Sequence, residues 1–297
     1  MAKNKGDAGN IITYDPYLQT SYAFSNNKIY PVELSKANKN SFFISYIKYK
    51  DITIGSVEIP ISTEEDDTSN LITIKAYEQF GLDPSVEYKI VYNEVPGISS
   101  ETKIFNVFIS DVLSIDKLFA LAIKKVPFLD CVVAAPLAFD ALYKKNILAA
   151  QDTDAFMVMQ EDDAFIAVYQ NGEYMQSRPL RYSIKNINEK FASLSGDKLN
   201  DSAFLNIIKD GTDTPDDKNK NIITEIFDEI AYYIGDIVNS LSRFSGSNIS
   251  NIYIMSDAIM GDFAKFMQEK LNIPTKNLEL NIAINLKEIE ISNIHNI

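Results

Sequence analysis

The chain has 297 residues, 46% of them hydrophobic, with 41 acidic against 28 basic side chains and a net charge of -13. That length and apolar content suit two domains, and the acid excess repels nucleic-acid phosphates and anionic headgroups, so no nucleic-acid partner is expected. A single cysteine, Cys131, and a single histidine, His295 in a polar tail, exclude an internal disulfide, cysteine or histidine zinc sites, and catalysis by an imidazole.

The opening runs NIITYD, SYAFSNNKIYPVEL and NSFFISYIKYK alternate apolar and polar residues and predict a meander of three strands, with a turn at Ser25-Asn26-Asn27. ITIGSVEIP adds a short strand, and the polar STEEDDTSN leads away from the first core. LITIKAYEQFGL predicts a short helix stopped near Gly81, followed by strands at EYKIVYNEV and KIFNVFIS. SIDKLFALAIKK predicts a helix with Ser114 as N-cap and Lys124-Lys125 at its C-terminal end, where the helix dipole favours cations. Residues 64–127 thus form a small inserted subdomain. DCVVAA reads as a buried strand holding Cys131, and PLAFDALYKKN as a helix with Pro136 at its first position.

The second half opens on the hairpin MVMQEDDAFIAVYQNGEYMQSRPL, whose Asn171-Gly172 pair suits a type I′ turn. SIKNINEKFASLSG predicts a helix ended by Gly196. From there to Lys220 the sequence is irregular, and GTDTPDDKNK reads as an exposed loop. Ile223, Ile226, Ile230, Ile234, Ile237 and Leu241 recur every three or four residues and mark a long amphipathic helix. A strand at SNIYIM, a helix at DAIMGDFAKFMQEKL and a last strand at NLELNIAI follow. No run is long and apolar enough to span a bilayer, and MAKNKGDAGN lacks the apolar core of a leader, so the expectation is a cytoplasmic chain without direct membrane insertion.

A strand meander followed by alternating helices and strands, given twice, is the plan of the actin-like fold: mixed α/β sheets in two RNase H-like domains. The expected boundaries are 10–153 and 154–290, with flexible tails at 1–9 and 291–297. The order of pieces resembles the PilM family and the related GspL-type cytoplasmic domain of type IV pilus, competence and type II secretion machines. ITYD and YPVELSK stand where that family has its first phosphate loop and the strand after it. MVMQEDDAFIAVYQNGEYMQSRPL stands for the second loop and IYIMSDAIMGDFAKFMQEKLNIP for the third.

The resemblance implies phosphate-binding turns in which glycines admit backbone N–H groups and an aspartate places magnesium. Here Asp15 is followed by Pro16-Tyr17-Leu18, with no glycine and, at Pro16, no N–H. Gln160 replaces the second aspartate, with Glu161, Asp162 and Asp163 where small residues belong. Ser256 and Asp257 replace the glycine pair of the third loop. An acidic turn facing a polyphosphate adds like charge at short range. Three readings of that turn stay open: a solvated hairpin end, a divalent-metal site with Asp15, and a charged contact for a partner.

The resemblance therefore implies a non-catalytic scaffold, a pseudo-ATPase with weak or absent nucleotide binding and no cofactor, at the cytoplasmic base of an inner-membrane platform. Its implied partners are a bitopic membrane protein of PilN type and a hexameric assembly ATPase, with a homodimer also allowed. The alternative is an actin-like switch that keeps ATP and magnesium through unusual loops. The chain could equally be the soluble part of a longer membrane protein.

Overall fold

In the computed structural model, which describes residues 11–25, 28–38, 40–95, 101–278 and 282–286, the first apolar runs form β1 (Ile11–Asp15), β2 (Thr20–Ser25), β3 (Lys28–Pro31) and β4 (Phe42–Ile47). The expected second strand is thus a hairpin of two. β4 is no part of a meander: it lies parallel to β1, with Ile12 opposite Phe43. Asn26 and Asn27 of the expected turn, both tails and His295 lie outside the described residues.

β5 (Thr53–Pro60) leaves this sheet and joins another, so the inserted subdomain starts at Thr53 and not at 64. α1 (Glu65–Phe80) begins inside the polar run read as an excursion. Glu65, Asp66 and Asp67 fill its first turn, where the helix N-terminus favours acids, and it stops at Gly81 as expected. β6 (Tyr88–Val95) and β7 (Thr102–Asp111) complete a three-stranded antiparallel sheet in the order β5-β7-β6. Val57, Ile59, Phe105, Val107 and Ile109 alternate onto the face that receives Ile72 and Ala76 of α1.

α2 (Val112–Ile123) starts earlier than expected: Asp111 is the N-cap, its carboxylate accepting the Leu113 N–H at 2.9 Å, and Ser114 donates to that same carboxylate at 2.8 Å. β8 (Cys131–Ala134) returns to the first sheet, parallel to β4. The PLAFDALYKKN helix is shorter than expected, a 3-10 turn at Ala135–Phe139 running into α3 (Asp140–Lys144).

The second half repeats the first. β9 (Thr153–Met159), β10 (Ala164–Gln170) and β11 (Glu173–Pro179) form a meander. Asn171 and Gly172 both have positive φ, 53° and 81°, the type I′ signature expected of them. α4 (Ile184–Ser195) follows, and then α5 (Asp201–Asp210), in a stretch expected to be irregular. Phe204 and Ile208 anchor α5, two apolar residues at helical spacing in a polar sequence. The expected loop GTDTPDDKNK is instead a 3-10 turn at Gly211–Asp213 and the start of α6 (Asp217–Ser245), capped by Asp216.

Ile223, Ile226, Ile230, Ile234 and Leu241 of α6 are fully buried, each contributing about 1.5–3 kcal/mol by leaving water. β12 (Asn251–Ser256) lies parallel to β9, and α7 (Phe263–Leu271) leads to β13 (Thr275–Asn277). The last strand was expected over NLELNIAI; it ends at Asn277, and α8 (Ile282–Asn285) is helical.

Two units result: Met1–Ile147 with Ile282–Ile297, and Leu148–Asn281. The boundary therefore precedes β9, and the C-terminal segment belongs with the first unit, because α8 packs on β1 and β4 with Ile282 and Ala283 buried. The sheets have the same topology, β3-β2-β1-β4-β8 in one and β11-β10-β9-β12-β13 in the other. Each is a meander followed by two parallel strands reached through crossovers. Among the described residues no helix is long and apolar enough to cross a membrane.

Candidate functional site

The first candidate loop joins β1 to β2. Asp15 is buried at the end of β1, and one carboxylate oxygen accepts the N–H groups of Tyr17 at 2.9 Å and Leu18 at 3.0 Å. The other accepts the Tyr46 hydroxyl at 3.0 Å. Asp15 therefore closes its own turn, and the two N–H groups that follow Pro16 are taken by this carboxylate. Tyr17 locks the turn from outside, donating to Asp51 at 2.7 Å and accepting the Lys48 N–H at 2.8 Å. Burial, reinforced by the Asp51 hydrogen bond, pushes the Tyr17 hydroxyl pKa up.

The second loop, between β9 and β10, is closed by a hydrogen bond from the Gln160 N–H to the Asp163 carbonyl at 2.8 Å. Its carbonyls face α4: Gln160 accepts the Ile184 N–H at 3.0 Å and Glu161 the Lys185 N–H at 2.9 Å. The acidic turn thus sits on a helix N-terminus, whose partial positive charge favours Glu161, Asp162 and Asp163. A local structural cause for three consecutive acids is at hand. Gln160 is buried, and among the described residues its Oε1 has no hydrogen-bond partner.

The third loop follows β12. Asp257 donates its N–H to the Met159 carbonyl at 3.0 Å, and its Oδ2 accepts the Glu161 N–H at 3.1 Å. Ser256 Oγ accepts the Ala258 N–H at 3.2 Å. The fold so brings Gln160, Glu161, Asp162, Ser256 and Asp257 together at the ends of β9 and β12, while Asp15 belongs to the other unit. A backbone N–H that could meet an anion meets Asp257 instead. Among the described residues no three His, Cys, Asp or Glu side chains gather as a metal ion requires.

Farther along the third loop lies a contact that the sequence reading missed. Gly261 lies against Gly211: a Cβ on Gly261 would come within 2.7 Å of the Gly211 nitrogen. Asp262 accepts the Thr212 N–H at 2.9 Å and also takes the Thr212 hydroxyl. The turn after α5 is thereby clamped to the turn before α7. The two glycines, widely separated in the chain, were the available signal.

The first unit holds a different feature, an open groove of about 670 Å³ where the first sheet meets the inserted subdomain. Tyr17, Ile52, Tyr88, Ile115 and Leu118 give it apolar walls, and Asp51, Asp111, Lys50 and Lys117 line it as well. The groove thus combines apolar walls with charged side chains of both signs.

No family model and no curated protein matches this chain. Solved structures do. The PilM-PilN type IV pilus biogenesis complex matches with a TM-score of 0.67 at 11% identity, over 90% of this chain and 88% of that one. MreB 5 of Spiroplasma citri, bound to AMPPNP, matches with a TM-score of 0.52 at 9% identity, over 95% of each chain. The cytoplasmic domain of EpsL, an inner-membrane component of the type II secretion system of Vibrio cholerae, aligns with a TM-score of 0.46 at 10% identity, over 94% of this chain and 93% of that one. The expected actin-like α/β fold is the fold of this chain.

Proposed function

We propose that this chain is a non-catalytic actin-like scaffold of a type IV pilus, DNA-uptake or type II secretion platform, a pseudo-ATPase that needs no bound nucleotide. It works at the cytoplasmic face of the inner membrane, between a bitopic protein of PilN kind and a hexameric assembly ATPase. The observation that carries this reading is the internal closure of the loops. In a fold shared with the PilM-PilN complex, Asp15 holds the N–H groups of its own turn and Asp257 holds that of Glu161. At either loop a phosphate would have to displace a carboxylate, and at the second it would then face Glu161 and Asp162, at a cost of several kcal/mol per close pair where water is partly excluded. The groove bordered by Tyr17 and Tyr88 is the surface we assign to an extended segment of the membrane partner.

The test has two arms. Calorimetric titration with ATP and magnesium is expected to show no heat; affinity tighter than about 100 μM, roughly -5.5 kcal/mol, would move the chain to the rival reading of an ATP-dependent switch. Co-purification from cells that assemble the machine is expected to recover the bitopic protein. A Leu118→Glu variant, altered in the groove wall, is expected to lose it while keeping its fold.

A further inference from the structure

The inserted sheet has two edges that the fold treats differently. Antiparallel pairing alternates residues whose backbone groups point to the neighbouring strand with residues whose groups point away. Ile61 donates to the Glu101 carbonyl, continuing the pairing that sets Pro60 opposite Thr102, so the odd-numbered residues of β5 face β7 and Ile54, Ser56 and Glu58 face outward. Two of those outward carbonyls are covered: Lys75 donates to Glu58, and Gln79 donates to Ser56 at 3.0 Å, both reaching over from α1. The β5 edge is blunted.

On the opposite edge, Val112 donates to the Glu87 carbonyl at 3.0 Å, and the register continues without a shift from Tyr88 opposite Asp111 to Val95 opposite Ile104. Lys89, Val91 and Asn93 therefore bond to β7, while Tyr88, Ile90, Tyr92 and Glu94 direct their N–H and C=O groups outward. Among the described residues nothing answers them. The other sheet edges are short or interrupted: β3 has four residues and a proline, β8 four, β13 three, and β11 carries a register shift against β10 and ends at Pro179. β6 combines eight residues, no proline and no bulge.

We propose that β6 is a homodimer interface, pairing antiparallel with β6 of a second copy to make one six-stranded sheet. The occupant follows from the sequence YKIVYNEV itself. The register that uses all four outward residues sets Tyr88 against Glu94 and Ile90 against Tyr92, each twice, with Val91 facing its own counterpart on the two-fold axis. No like charges stand opposite one another, and the Ile90 and Tyr92 side chains form cross-strand aliphatic-aromatic pairs. Lys89 of the second copy faces Asn93, whose Oδ1 lacks a hydrogen-bond partner among the described residues. A two-fold axis normal to the sheet puts α1 of both copies on the same face, so the apolar layer beneath them becomes continuous.

The register makes its own test. Val91 and its counterpart would form a non-hydrogen-bonded pair with Cα atoms about 4.5 Å apart, within disulfide reach, whereas Lys89 would lie well away from Lys89 of the second copy. Under mild oxidation Val91→Cys is expected to cross-link into a dimer and Lys89→Cys is not; the native Cys131 is buried and does not compete. In sedimentation, the unmodified chain is expected to run as a dimer at high concentration and Ile90→Pro as a folded monomer, since Ile90 gives no N–H to β7. A chain that stays monomeric at every concentration overturns the proposal. So does a dimer in which Val91→Cys cross-links no faster than Lys89→Cys, because that dimer uses another surface.

Discussion

The Asp257 carboxylate accepts the backbone N–H of Glu161 at 3.1 Å, across 96 residues of sequence. This bond ties the acidic turn after β9 to the turn after β12 and fills with the chain's own charge a donor that an external anion would need. Asp257→Asn weakens a charge-assisted bond at an exposed position, so a loss of about 1 kcal/mol is expected in urea unfolding. Titration with ATP and magnesium is expected to stay silent in this variant, because Glu161 and Asp162 remain. Heat appearing on this one substitution would mean that Asp257 alone blocks a competent site.

Asp15 makes a stronger prediction because it is buried and accepts from Tyr17, Leu18 and Tyr46. Asp15→Ala leaves those donors unanswered, and a loss of about 2–4 kcal/mol is expected; Asp15→Asn keeps one acceptor oxygen and should lose roughly half as much. Magnesium is expected to change the unfolding midpoint of neither the parent chain nor the variants. A magnesium-dependent rise that vanishes in Asp15→Asn would return this residue to metal binding.

Acid sensitivity should pass through Glu229. Its carboxylate receives Lys190 at 2.6 Å and the Tyr182 hydroxyl at 2.6 Å, and these two, Lys190 first, hold its pKa below the ordinary 4.5. A depressed acid contributes stability above its unfolded-state value, and that contribution is lost as pH falls through the folded-state value. The stability gap between the parent chain and Glu229→Gln should therefore be constant near neutral pH and close below 4.5. The pair is partly exposed, so added salt should shrink the gap. A gap that widens on acidification would contradict the assigned contacts.

Burial, with a smaller contribution from Asp130, pushes the Cys131 thiol up to about 12. In the native chain at mildly alkaline pH it is expected to resist thiol reagents, and labelling should follow global unfolding measured by circular dichroism. Labelling far ahead of that signal would show that β8 opens by itself.

What the sequence made legible was what short-range patterns encode. The isoleucine spacing of α6 and the Asn171-Gly172 pair are local and strong, and they predicted a helix face and a turn that the structure contains. The same chain hid α5 and the turn at Gly211–Asp213 because their polar composition resembles a loop, and tertiary anchoring at Phe204 and Ile208 decides the matter. Ser114 lost the capping role to Asp111, a competition between adjacent candidates that composition cannot arbitrate. At the candidate site, the missing glycines were visible in sequence. The identity of what occupies the freed N–H groups was not, since the Asp257 bond joins strands paired only in three dimensions.

The Gly211 and Gly261 contact is the part of the site furthest from sequence reading, and it carries a sharp test. Gly261 has φ of 45°, and a Cβ there would lie 2.7 Å from the Gly211 nitrogen and 2.8 Å from its Cα, both backbone atoms that cannot rotate away. Gly261→Ala therefore adds steric overlap to backbone strain, and a loss of about 2–4 kcal/mol is expected. Gly196 offers the matched control: its φ is 77°, but nothing lies within 4 Å of its added Cβ, so Gly196→Ala should lose only about 1 kcal/mol from strain. Amide exchange in Gly261→Ala should quicken first at Thr212, whose N–H is held by Asp262. Equal losses in the two variants would mean that the backbones at 211 and 261 do not touch in solution, and that the turn after α5 is free to open.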